Sequence, residues 1–131
     1  MILSLNYPSE GGLRALGRAL AAAAARLGKR IAVVASGDMS HRLTPDAPAG
    51  YDPRARQFDN EFIACLRRGA YGDLEHFDRK LQKLAGEDAL DSTIVALAAV
   101  NWATTGHEVL SYEGPFGVGY GVAVLFDAES R

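Results

Sequence analysis

The sequence predicts an α/β fold: a βαβ unit, then three helices and a C-terminal β-hairpin, the strands forming one mixed sheet flanked by helices. Three observations predict it. Residues 31–35 form a continuous apolar run, as a strand covered on both faces requires. A long Leu- and Ala-rich stretch with helical spacing precedes that run, and the last quarter of the chain alternates apolar and polar residues about a glycine-rich turn. With 131 residues the chain makes one domain, 1–131, large enough to bury about two-thirds of its unfolded surface without a disulfide.

Taken in order, residues 2–7 are a short apolar strand candidate, and Pro8-Ser9 is a turn whose serine caps a helix running to about residue 28. Leu13, Leu16, Leu20 and Leu27 fall on one face of that helix, Arg14, Arg18 and Arg26 lie off it, and Gly28 is the expected stop. The strand at 31–35 follows. A strand, a helix and a strand at this spacing predict a right-handed crossover with parallel strands. Ligands of such sheets bind beyond the carboxyl ends of the strands, so Asn6, Tyr7, Asp38, Ser40 and His41 are expected to be neighbours.

Residues 45–53 are rich in proline and read as a loop bordering a pocket. Asp52-Pro53 predicts a helix start, with Phe58, Phe62, Cys65 and Leu66 buried and Gly69 as the stop. A second helix is expected from Asp73, with Leu74, Phe77, Leu81 and Leu84 inward and His76, Arg79, Lys80 and Lys83 outward. A third, at about 90–103, is apolar nearly all round from Ile94 and is expected to be the most buried. Glu87, Asp88 and Asp91 gather at its start, where the helix dipole favours carboxylates. Strands at 107–113 and 118–126 then flank Gly114-Pro115-Phe116-Gly117 as a hairpin.

Composition narrows the function. A net charge of −2 leaves no footprint for nucleic acid or an anionic membrane. One cysteine, Cys65, allows neither an intrachain disulfide nor a thiolate cluster and suits a reducing cytoplasm. The Ala-rich stretch 20–27 is interrupted and preceded by arginines at 26 and 18, and reads as neither signal peptide nor membrane span. Gly114, Gly117, Gly119 and Gly121 are not a phosphate loop, because no helix follows and Val118, Tyr120, Val122 and Val124 alternate as a strand does. Cys65 and Trp102 read as core, His76 and His107 as solvated.

The candidate site is Ser36-Gly37-Asp38-Met39-Ser40-His41-Arg42, directly after the 31–35 strand. A histidine at a strand end suits acid–base chemistry, since imidazole accepts and returns a proton near neutrality. The same position also reads as a loop histidine bonded to a carbonyl, and Asp38 and Ser40 as residues that satisfy backbone groups of the turn.

These residues, with Gly50-Tyr51-Asp52-Pro53, Phe58-Asp59, Ala85-Gly86-Glu87 and the run Leu110-Ser111-Tyr112-Glu113-Gly114-Pro115-Phe116-Gly117-Val118-Gly119-Tyr120, resemble the class III extradiol ring-cleavage dioxygenases, the LigB superfamily. The similarity is closest to an uncharacterised branch related to the Memo-like proteins. It implies an Fe(II)-dependent insertion of dioxygen into a catechol-type ring, at a metal held by two histidines and one carboxylate; zinc stays open as the metal. By resemblance His41 matches the acid–base histidine, Glu87 the carboxylate ligand with Asp88 as second choice, and Asp38, Ser40, Tyr112 and Glu113 line the pocket. Where that branch has Cys-Gly after the glutamate, this chain has Asp88-Ala89.

The resemblance covers only the C-terminal half of the family's domain, and both iron histidines belong to the other half. His76 and His107 do not sit in matching motifs. The expectation is a half-domain, inactive without an N-terminal half or a partner subunit and prone to homo-oligomerise through an exposed sheet edge. Its substrate would be a small aromatic diol. Glu87 reads equally as a dipole-stabilised helix carboxylate, and the other reading of the whole chain is a non-catalytic binding or scaffold module that keeps the fold.

Overall fold

Ser9 opens the first helix as expected: its hydroxyl accepts from the Gly12 N–H, and α1 runs Glu10–Arg26. The computed structural model describes residues 1–5 and 9–129, so the expectations placed on Asn6, Tyr7 and Pro8 lie outside the described residues. Leu13 is buried and Leu16 and Leu20 pack against the core, whereas Leu27 is exposed. Leu27 is the C-cap, where the backbone has already left the helical path that would carry it inward.

The second helix, α2, spans Ala55–Arg68 and ends on Gly69, whose left-handed backbone closes it as expected. It starts later than Asp52-Pro53 suggests. The Asp52 carboxylate accepts from the Arg54 N–H at 2.9 Å and organises the turn before the helix. Where one helix is expected from Asp73 there are two, α3 (Tyr71–Glu75) and α4 (Arg79–Ala85). Asp78 divides them, its side chain accepting from the Lys80 and Leu81 N–H groups and starting a new helix. The last helix, α5 (Ala89–Ala99), is buried over Thr93 to Ala98, as its all-round apolar character predicts. It stops before residue 103 because Asn101 and Trp102 take left-handed backbone angles (φ 51° and 61°) and the Trp102 N–H returns to the Leu97 carbonyl.

Strands β1 (Glu108–Glu113) and β2 (Tyr120–Val124) form the expected antiparallel hairpin, with Tyr112 opposite Gly121 and a bulge between Val109 and Ser111. The rest of the predicted sheet departs from expectation. Among the described residues the hairpin is the whole sheet, and residues 31–35 form no strand ladder, so the βαβ unit and the single mixed sheet are corrected to a mixed α/β arrangement of five helices and one two-stranded sheet. The reason is that an apolar run signals burial, while a strand also needs a neighbour for each backbone N–H and C=O. No described residue supplies that neighbour. Ile31 is 51 % and Val34 84 % exposed, and the segment forms one rim of a groove of about 720 Å³ whose other rim is residues 123–129.

The core lies between the helices and under the hairpin. Phe58 is its centre, fully buried, with the Phe62 ring 5.7 Å and the Phe77 ring 5.0 Å away. Leu74, Leu90 and Leu97 are likewise fully buried, Cys65 is buried and Trp102 packs against the cluster. No helix among the described residues is long and apolar enough to cross a membrane.

Candidate functional site

The segment carrying His41 is held between the start of α5 and the hairpin. Gly37 lies so close to α5 that a Cβ there would fall 2.4 Å from the Asp88 carbonyl oxygen. A reciprocal pair of bonds locks this contact: the Asp88 N–H donates to the Asp38 carbonyl at 3.0 Å, and the Asp38 N–H donates to Asp88 Oδ1 at 2.5 Å. On the other side the Met39 N–H donates to the Gly119 carbonyl, the Gly119 N–H to the Ser40 carbonyl, and the Leu43 N–H to the Gly117 carbonyl, at 2.8–2.9 Å. These bonds stitch the loop to the hairpin turn.

His41 sits against the turn between α4 and α5. Its N–H donates to the Ala85 carbonyl at 3.0 Å, and its ring Nδ1 lies 2.6 Å from the Gly86 carbonyl oxygen. A carbonyl can only accept, so Nδ1 carries a proton and Nε2 is the nitrogen that gains and loses one. Nε2 is 3.3 Å from Asp38 Oδ2, and the side chain is 24 % exposed, open enough to meet a ligand. The loop-histidine reading and the acid–base reading therefore meet in one geometry, in which a carbonyl fixes the tautomer and leaves the working nitrogen beside a carboxylate.

Glu87 follows Gly86 directly, but its carboxylate faces α5. Oε2 accepts from the Ala89 and Leu90 N–H groups at 2.7 and 2.8 Å, and Oε1 from Gln82 Nε2 at 2.6 Å. Burial pushes the Glu87 carboxyl up, against these three bonds, which hold it down. A carboxylate offers about four lone-pair positions, so three of them serve as a helix cap and one remains on Oε1. The second-choice ligand, Asp88, is exposed and bonded through Oδ1 to the Asp38 N–H.

The residues expected to line a pocket separate. Asp38 faces His41. Ser40 is fully buried behind the loop, its hydroxyl donating to the Ala85 carbonyl and accepting from the Arg42 N–H. The half-buried Tyr112 turns its hydroxyl away to Asp59, and Glu113 is exposed at the end of β1. None of the four lines the large groove, which reaches the loop only at Gly37 and Met39. His76 is exposed as expected; His107 is not solvated but half-buried, Nδ1 2.7 Å from the Thr104 carbonyl oxygen and its ring edge-on to Tyr71.

The residue that sequence reasoning missed is Asp59. It is fully buried on α2, where Oδ1 accepts from the Ser40 N–H at 2.9 Å and Oδ2 from the Tyr112 hydroxyl at 2.6 Å. The signal was present: Asp59 falls on the apolar stripe of Ala55, Phe58, Phe62 and Leu66, the one charged residue at a buried position of that helix. Burial and the Asp59 carboxylate push the Tyr112 hydroxyl up, so it remains the donor. Burial also pushes the Asp59 carboxyl above the ordinary carboxylate range, against the Tyr112 and Ser40 bonds that hold it down.

A carboxyl whose folded pKa is raised binds its proton more tightly in the folded chain, so its contribution to stability falls as pH rises through that value. Asp59→Asn removes this dependence. Its stability deficit, read from urea midpoints, is expected to be largest below about pH 4 and to shrink toward neutrality. A deficit independent of pH would contradict the raised value.

Among the described residues no group of three or more His, Cys, Asp or Glu side chains is placed to hold a metal ion. Compared with known proteins, residues 1–123 match the sequence model of a family described as the catalytic LigB subunit of aromatic ring-opening dioxygenase. The chain is also 38 % identical over 126 residues to Protein CA_C1420 of Clostridium acetobutylicum, covering 95 % of this chain. It spans only 27 % of the length of that curated relative.

Proposed function

Because the chain belongs to the family of the catalytic LigB subunit of aromatic ring-opening dioxygenases, we propose that it supplies the acid–base half of a site that opens a catechol-type ring with dioxygen. His41 is the proton-handling group. Iron, with zinc as the alternative, is the metal that the family resemblance implies. The residues present do not by themselves fit it: Glu87 offers one unused lone pair, both ring nitrogens of His41 are engaged, and no three-group cluster exists among the described residues. The metal-binding histidines therefore come from a segment or subunit outside this chain, and no step of the reading passes through the metal.

The observation that carries the proposal is the two-point hold on the imidazole. With Nδ1–H donated to Gly86, Nε2 takes a proton from a substrate hydroxyl and returns it to a later oxyanion. Asp38, 3.3 Å from Nε2, accepts the new N–H while the ring is charged and keeps the ring oriented. The partly exposed ring faces outward from a rigid turn, as a group shared with a second segment must.

The test measures oxygen uptake and ring-opened product from a catechol with Fe(II), on the complex or longer polypeptide that contains the missing histidines. His41→Gln is expected to lower turnover by about 10²- to 10⁴-fold with the fold unchanged. Unaltered turnover in the variant would remove His41 from the chemistry. One observation favours a second reading, that of a non-catalytic module: the Glu87 carboxylate is engaged as the cap of α5. A metal-loaded complex that takes up no oxygen with any catechol would select it.

A further inference from the structure

We propose that Asp59 is a positioning residue, which sets the place of His41 by clamping the Ser40 N–H with one carboxylate oxygen and the Tyr112 hydroxyl with the other. This inference rests on the reading of His41 as the proton-handling group. Three segments far apart in the chain meet at this carboxylate: α2, which carries it; the loop, bonded one residue before His41; and β1, bonded through Tyr112.

A fully buried carboxylate is an expensive choice for an apolar helix face, where a leucine of similar size packs without desolvating a charge. What the carboxylate provides and leucine does not is two acceptors with fixed directions. One of them fixes the peptide that precedes His41, whose carbonyl is fixed in turn by the Gly119 N–H. The hairpin closes over the pair so tightly that a Cβ on Gly119 would fall 2.0 Å from Asp59 Oδ2, which leaves no space for a water to substitute for either bond. His41 is thus located from behind by α2 and from the side by the Ala85 and Gly86 carbonyls. Without the first of these, the second has a mobile partner.

The experiment follows the His41 Nδ1–H by NMR in the 131-residue chain, with His41→Gln assigning the resonance and thermal unfolding reporting on the fold. In Asp59→Leu the Nδ1–H is expected to exchange with solvent about tenfold faster, as the loss of one hydrogen bond's worth of local stability gives. Asp59→Asn keeps an acceptor for the Ser40 N–H and is expected to restore near-wild-type exchange. A folded Asp59→Leu with wild-type exchange, or an Asp59→Asn no better than Asp59→Leu, would overturn the proposal.

Should Asp59→Leu fail to fold, Tyr112→Phe carries the test, since it frees Oδ2 and leaves the core packed. Faster exchange of the same proton is expected there, and unchanged exchange would overturn the clamp. None of these readouts needs turnover, so failure of the clamp is distinguishable from failure of the acid–base assignment, which only the His41→Gln turnover assay addresses.

Discussion

Phe58→Ala is expected to lower the free energy of unfolding by about 3–5 kcal/mol, enough to consume much of the about 5–15 kcal/mol that holds a domain of this size together. The ring is fully buried and touches both Phe62 on its own helix and Phe77, which lies between α3 and α4. No exposed side chain is placed to fill the cavity, so the loss combines transfer of the ring with lost contacts on every wall. Urea unfolding followed by tryptophan fluorescence measures it directly, Trp102 being the single reporter. A loss below about 2 kcal/mol would mean that α2 repacks, and with it Asp59, the next residue.

Gly37→Ala is expected to undock the His41 loop. The atoms that a methyl group would meet are backbone, the Asp88 carbonyl oxygen at 2.4 Å, its carbon at 2.7 Å and the Ala89 Cα at 2.8 Å, so no flexible side chain can yield. Either the loop or the start of α5 must move, and the reciprocal Asp38–Asp88 bonds lie on that seam. A stability loss of about 1–3 kcal/mol is expected from overpacking, together with loss of the hydrogen-bonded His41 Nδ1–H signal. Gly11→Ala is the control. Nothing lies within 4 Å of a Cβ at that helical position, so alanine is expected to stabilise by up to about 1 kcal/mol. Equal losses in both variants would show that the seam at Gly37 has no special role.

Much of the helical framework was legible because its signals are local. Ser9 before α1, Gly69 after α2 and the apolar stripe of Leu13, Leu16 and Leu20 each act within a turn or two of where they stand. The division of the helix expected from Asp73 was legible too, in Asp78, but the apolar spacing of Leu74, Phe77 and Leu81 continues across the break and conceals it. Glu87 shows the opposite difficulty. Its sequence position serves a metal ligand and a helix cap equally well, and only the placement of the Ala89 and Leu90 N–H groups gives it the cap.

The sequence by itself determined where the helices and the hairpin form, which apolar residues build the core, and that His41 leaves an apolar segment beside a turn, because periodicity, caps and turn residues act over a few neighbours. Tertiary structure decided the rest. It brought Gly86 to one ring nitrogen of His41 and Asp38 to the other, and it joined Asp59 to Ser40 and Tyr112 across 19 and 53 residues. It also left residues 31–35 without a partner strand. Hydrogen bonds between distant segments depend on where whole elements pack, and a run of side chains carries no record of which backbone will lie beside it.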